Sequence, residues 1–189
     1  ASSRLGFNAK KTMMVAQGLY EGVELGNERV GLITYMRTDS VRLSDEFIKS
    51  AYAYIDKTYG KDYVGFVKTS KKKENVQDAH EAIRPTSLYR TPESVKKFLS
   101  ADEYKLYRLI YARTLASLMA ASKSDVVNVM IRSNEAQFSA SGSILSFDGY
   151  LKVYHPYESV KDETLPEMVE GEVLEHVELE SKQHFSEPP

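Results

Sequence analysis

The chain has no cysteine among its 189 residues, which excludes a disulfide framework and any thiolate metal site. No apolar run approaches the roughly 20 residues that a membrane-spanning helix requires. The opening residues lack the charged, apolar, small-residue order of a secretory signal, so a cytoplasmic address is expected. Histidine is sparse, with four residues, and His155, His176 and His184 have no second ligand at metal spacing. Neither a zinc pattern nor a glycine-rich phosphate loop is present, and no repeat or low-complexity tract interrupts the chain. The chain starts on Ala1 and stops on Pro188 and Pro189, from which a piece of a longer protein is expected.

What is present is the composition of a globular protein, 42% hydrophobic and 28% charged, with enough residues for one good core or two small ones. The net charge of −2 is unevenly spread. Residues 1–90 hold 15 Lys and Arg against 11 Asp and Glu, whereas residues 91–189 hold 10 against 16. A polyanion would be met by the first half.

Asn8 is placed as the N-cap of a first helix in which Met13, Ala16 and Tyr20 recur at helical spacing and Gly22 gives the stop. Lys10 and Lys11 stand in its first turn, where the macrodipole disfavours cations and an anion nearby would relieve the conflict. "VGLITYM" reads as a strand. Ser44, followed by Asp45 and Glu46, caps a second helix whose face is Phe47, Ile48, Ala51, Tyr52 and Ile55, closed by Gly60. "KTSKKKEN" is a basic, polar loop, solvated or touching a phosphate backbone. "VQDAHEAIRPTS" suggests a short helix ending near Arg84, ahead of Pro85. Thr91 and Pro92 open a helix to about Leu99, and Ser100 opens a long one with Leu106, Leu109, Ile110 and Leu118 on its core face. After Ser122 the pattern changes to short alternating segments, "DVVNVMIR", "AQFSASGS", "LKVYHPY" and "EVLEHVELE". A helical block followed by a β block predicts an α+β fold, divided into a mainly helical part, residues 1–120, and a β-rich part, residues 121–189.

Chemistry concentrates in "GLITYMRTDS", residues 31–40. On a strand Tyr35 and Arg37 share a face while Thr34 and Met36 point the other way. A phenol with an ordinary pKa near 10 becomes a nucleophile when cationic or hydrogen-bonding neighbours favour its phenolate. Arginine also forks onto phosphate oxygens, so Arg37 could hold a phosphodiester. Thr38 and Ser40 add hydroxyl donors, and Asp39 could orient the guanidinium. The same residues also suit a bland strand, with a common strand tyrosine and an ordinary Arg–Asp ion pair. In "DAHEAIRP", a helix would put His80 and Arg84 on one face, toward one anionic group or as partners of Asp78 and Glu81.

Together, "SSRLGFNAKKTMMVAQGLYEG", "GLITYMRTDS", "DAHEAIRPT", "ILSFDGYLKV" and "KQHFSEPP" resemble the type IA DNA topoisomerases, in particular the bacterial topoisomerase I group, over nearly the whole chain. The resemblance implies that Tyr35 is the nucleophile, Arg37 the arginine at the scissile site and His80 the histidine near that phosphate, with Thr38, Asp39, Gln17 and Glu21 close to the nucleotide. It implies single-stranded and negatively supercoiled DNA as partners. It further implies a mainly helical tyrosine-bearing domain of helix-turn-helix-like topology, followed by part of the β-rich arch. The family's magnesium belongs to an Asp-x-Asp-x-Glu domain, and no two Asp residues here are two apart. That domain and the second helical domain are therefore expected partners outside this chain, with no metal held within it. The alternatives are a non-catalytic single-strand-binding module that uses Tyr35 as a stacking platform, or a relative of topoisomerase III or reverse gyrase.

Overall fold

The computed structural model describes residues 1–66, 80–158, 160–175, 178, 180–183 and 185. Its architecture mixes helices and strands, and all but one of the described α-helices precede the long hairpin of residues 123–147. A one-turn helix α1 (Ser2–Leu5) ends at Gly6 and is followed by α2 (Ala9–Glu21). The Asn8 side chain accepts the Lys11 backbone N–H at 2.8 Å, the expected cap. The buried face of α2 is Val15, Ala16 and Leu19 rather than the expected Met13, Ala16 and Tyr20. Aliphatic Val15 and Leu19, four apart, take the interior, and Tyr20 is left at the surface.

A minimal hairpin, β1 (Val23–Glu24) with β2 (Arg29–Val30), leads into residues 31–34. Helix α3 (Asp45–Tyr59) is capped by Ser44 and buries Phe47, Ala51 and Ile55, as the spacing predicts. Helix α4 (Pro92–Val95), capped by Thr91, continues only as a tighter turn through Phe98. The long helix α5 (Ala101–Leu118) starts at a capping box, with Ser100 and Glu103 each binding the other's backbone N–H.

Helix α5 is the centre of the core. Leu106, Tyr107, Tyr111, Leu115 and Leu118 pack with α2, α3 and residues 32–36, while Leu109 and Ala112 face Tyr154. The phenols of Tyr107 and Tyr111 donate to the backbone oxygens of Arg90 and Leu88, each at 2.6 Å. Burial pushes both phenols well above the ordinary tyrosine range, so they act as fixed donors.

From Lys123 the chain forms an antiparallel hairpin, β3 (Lys123–Ser133) with β4 (Ala136–Phe147). Asn134 turns it at φ 54°, a left-handed conformation that asparagine tolerates. Residues 161–165 lie along β4: Ser143 and Glu163 exchange backbone hydrogen bonds at 2.7 and 2.9 Å, and a side chain at Gly142 would strike the Glu163 oxygen at 2.9 Å.

The expected strand "LKVYHPY" is instead the helical turn α6 (Leu151–Tyr154), which brings the chain back onto α5. Leu151 and Tyr154, three apart, are both buried, a helical rather than a strand period. The expected strand in "EVLEHVELE" is absent among its described residues, 172–175, 178 and 180, while 176, 177 and 179 lie outside the description.

Candidate active site

The extended segment 31–34 is wedged between the end of α2 and residues 82–86. Leu32 N–H donates to the Leu19 oxygen at 2.8 Å and Thr34 N–H to the Arg84 oxygen at 2.9 Å. Ile33 bridges Pro85, and the Thr34 hydroxyl donates to the Ala82 oxygen at 2.7 Å. Leu32 and Ile33 are fully buried. The approach is close enough that a β-carbon on Gly31 would stand 2.6 Å from the Tyr20 carbonyl oxygen.

Regular strand pairing stops at Val30, short of the predicted "VGLITYM" strand, and the chain bends at residues 36–37. The reason is local: one neighbour is a helix end and the other contains a proline, so neither offers a continuous ladder. Alternation survives nonetheless. Met36 is buried between Tyr35, which is 40% exposed, and Arg37, which is also exposed.

Tyr35 leaves this segment between two rings. Tyr20 of α2 meets it edge-on with centroids 5.3 Å apart, and His80 lies 6.0 Å away at 35°. Gln17, one turn before Tyr20, hydrogen-bonds Glu21 through its side-chain amide. Thus Tyr35, His80 and the Gln17–Glu21 end of α2 are gathered at one place. The sequence marked Tyr20 only by its helical spacing from Met13 and Ala16. Its position between Gln17 and Glu21 was the available signal, since residues three and four apart share a helix face.

Thr38 and Ser40 form short side-chain turns, accepting the backbone N–H of Ser40 at 3.0 Å and of Arg42 at 3.3 Å. Their hydroxyl hydrogens stay available for donation. Asp39 is exposed. Arg37 and Asp39 do not pair with each other, nor with any other described residue, so the Arg37 guanidinium is not committed to the ion pair that a bland strand would suggest.

The predicted helix carrying His80 and Arg84 is absent over residues 80–84, and residues 67–79, with the basic "KTSKKKEN" loop, lie outside the description. Bonding to residues 34 and 42 holds the backbone extended; Ala82 N–H donates to the Arg42 oxygen at 2.8 Å. His80 and Arg84 consequently part company. Arg84 is 14% exposed, binds Glu81 at 2.5 Å and stacks over Phe47 at 4.2 Å. Burial alone would raise the Glu81 pKa, but hydrogen bonds from Ser44 and Arg84 outweigh it and hold the carboxyl below its ordinary range. Arg84 is a structural clamp, whereas His80 faces the tyrosine. Lys11 finds its anion in Asp102 at 2.8 Å.

No group of three His, Cys, Asp or Glu among the described residues is arranged to hold a metal ion.

An exposed tyrosine with an imidazole beside it, and an arginine two residues on that pairs with no described residue, thus sit on a fold of mixed helices and a long hairpin. The chain belongs to the DNA topoisomerase family, whose pattern it matches along residues 1–189. Its resemblance is to the bacterial type I enzymes. It is 49% identical to DNA topoisomerase 1 of Campylobacter jejuni and 47% identical to that of Rickettsia felis, in both cases over its full length. It spans 27% and 25% of those relatives, about a quarter of their length. The full-length topoisomerase I structure from Thermotoga maritima superposes with a TM-score of 0.77 at 40% identity, covering 91% of this chain and 27% of that one.

Proposed function

We propose that this chain supplies the nucleophile-bearing part of a type IA topoisomerase acting on single-stranded regions of negatively supercoiled DNA in the cytoplasm. The Tyr35 phenol attacks phosphorus, the bond to the 3′ oxygen breaks, and the DNA 5′ phosphate is left on the tyrosine. The phenol loses a proton and the departing 3′ oxygen gains one. His80 stands where it can bind the phosphate or carry that proton. Arg37 neutralises charge developing on the phosphate oxygens, while Thr38, Asp39, Gln17 and Glu21 contact the flanking nucleotides. Reversal reseals the strand after another has passed. The phosphotyrosine retains the energy of the original linkage, so no nucleotide is hydrolysed.

The observation that carries this reading is the cluster itself: an exposed Tyr35 with His80 at 6.0 Å and an Arg37 that no described residue engages. Residues 1–120 form the tyrosine-bearing domain of helix-turn-helix-like topology, and residues 121–189 the β-rich portion of the arch. Magnesium, when bound by the metal-bearing domain elsewhere in the protein, supplies charge stabilisation at the phosphate. That domain and the second helical domain are the chain's protein partners.

The test is to mix this chain with the metal-bearing part, add single-stranded DNA and magnesium, and search by mass spectrometry for nucleotides joined to Tyr35. Attachment at another residue, or strand cleavage with no attachment, would overturn the assignment.

A further inference from the structure

A second cluster of cations lies away from Tyr35, where α1 and the face of α5 bearing Tyr104, Lys105 and Arg108 meet residues 156–157. Arg4, Lys105 and Arg108 line a groove of about 310 Å³ together with Leu5, Tyr104 and Tyr157. All three cations are exposed, and the two tyrosines are half-buried. None of the three is ion-paired among the described residues.

The carboxylates next in sequence or bonded to the lining residues have other partners. Asp102 holds Lys11 at 2.8 Å, Glu103 closes the Ser100 capping box, Glu93 accepts the Tyr104 phenol, and Glu158 accepts the Tyr150 phenol at 2.9 Å. The lining itself holds three cations and no carboxylate, although the chain's net charge is −2, while Glu93, Glu103 and Glu158 keep their negative charge beside it. Its charge sits beside aromatic rings. Arg108 lies close enough to Tyr104 and Tyr157 to favour the ionised form of each phenol, against the desolvation of Tyr157 and the hydrogen bond from Tyr104 to Glu93. Unpaired cations following a groove, with tyrosine faces set among them, match the chemistry of a single nucleic-acid strand: phosphates to the guanidinium and ammonium groups, a base to a ring.

We propose that this groove is a second contact for single-stranded DNA, holding the strand away from the nucleotide at Tyr35. This rests on the reading of DNA as the substrate. The groove borders α1, which precedes α2, while Tyr35 packs at the far end of α2. One strand occupying both is fixed at two points, so the groove contributes grip and register rather than chemistry.

The experiment uses the 189-residue chain and a 20-nucleotide single strand, with affinity measured by fluorescence anisotropy across a salt series. The triple variant Arg4→Gln, Lys105→Gln, Arg108→Gln is compared with a matched control, Lys49→Gln, Lys57→Gln, Lys61→Gln. Losing three phosphate contacts, at ~0.7 each for a single strand, should reduce the slope of log affinity against log salt by about 2 and lower the affinity about tenfold at low salt. The control should lose much less. Equal losses in both triple variants, or no loss in the groove variant at an unchanged melting temperature, would overturn the proposal. So would a larger loss on a blunt duplex or on anionic vesicles than on the single strand. The two readings fail separately: a groove effect without capture of DNA on Tyr35 removes only the nucleophile assignment, and capture with an unaltered salt slope removes only the groove.

Discussion

The rings of Tyr35 and His80 lie 6.0 Å apart although 45 positions separate them in the chain. Their meeting depends on Thr34, whose hydroxyl donates to the Ala82 oxygen and accepts the Arg84 N–H at 2.9 Å. A residue outside the proposed chemistry thus fixes the two rings proposed to carry it.

Tyr35→Phe keeps the aromatic face toward Tyr20 and His80 but removes the attacking oxygen. Binding of a single-stranded oligonucleotide should persist while covalent capture in the complete enzyme disappears. A mass spectrum that still shows DNA joined to the variant would end the nucleophile assignment.

Arg37→Ala should cut cleavage by the complete enzyme heavily while changing stability by no more than about 0.5 kcal/mol, as for a surface residue without a structural partner. Parallel melting curves and cleavage assays check it. A large fall in melting temperature would mark Arg37 as a member of a structural ion pair instead.

Gly31→Ala would bring a methyl group against the Tyr20 carbonyl, 2.6 Å from where its carbon must sit. Such overpacking costs about 1–3 kcal/mol, and each kcal/mol corresponds to about 2–4 °C of melting temperature in a chain of this size. Calorimetry gives the shift. An unchanged melting temperature would mean that segment 31–34 can slide past the helix end.

Glu81 has its pKa lowered in the folded state, below the reference value of 4.5. The stabilisation belongs to the charged carboxylate, so it is fully present above 4.5 and is lost as pH falls through the lowered folded value. Glu81→Gln should therefore be less stable than the parent near neutrality, with the gap narrowing below pH 4.5. Denaturant titrations at pH 7 and pH 3 test it, and a gap that is constant across that range contradicts it.

Tyr111→Phe leaves the Leu88 carbonyl without its buried donor and removes the 3.1 Å contact with the Tyr54 hydroxyl. A loss of about 1–3 kcal/mol in unfolding free energy is expected. Equal stability by denaturant titration would imply that water reaches the Leu88 oxygen.

Helix starts were the most legible part of the structure, because caps are local chemistry: Asn8, Ser44, Thr91 and Ser100 all act as read. Where tertiary pairing decided conformation, local patterns misled. Residues 80–84 carry a helical spacing, yet their backbone groups bond to residues 34 and 42, and "LKVY" alternates like a strand yet buries two residues three apart. For the candidate site, the exposure of residues 35 and 37 about a buried Met36 was legible because alternation needs only the immediate chain. The separation of His80 from Arg84 was not, since it depends on Glu81 and Phe47 capturing the guanidinium. Tyr20 stayed hidden for a related reason: its ring partner lies across a contact made by Gly31, a residue with no side chain to announce it.

That bare position has a consequence for how the protein can vary. Because segment 31–34 meets the helix end backbone to backbone, the placing of the phenol is set by main-chain geometry, which most substitutions around it leave alone. Exposed side chains early in α2, such as Met14, can drift in size and charge without displacing Tyr35, while one added methyl at Gly31 would move it. The tolerance of the region is thus very unequal, with its narrowest margin at the residue that contributes the fewest atoms.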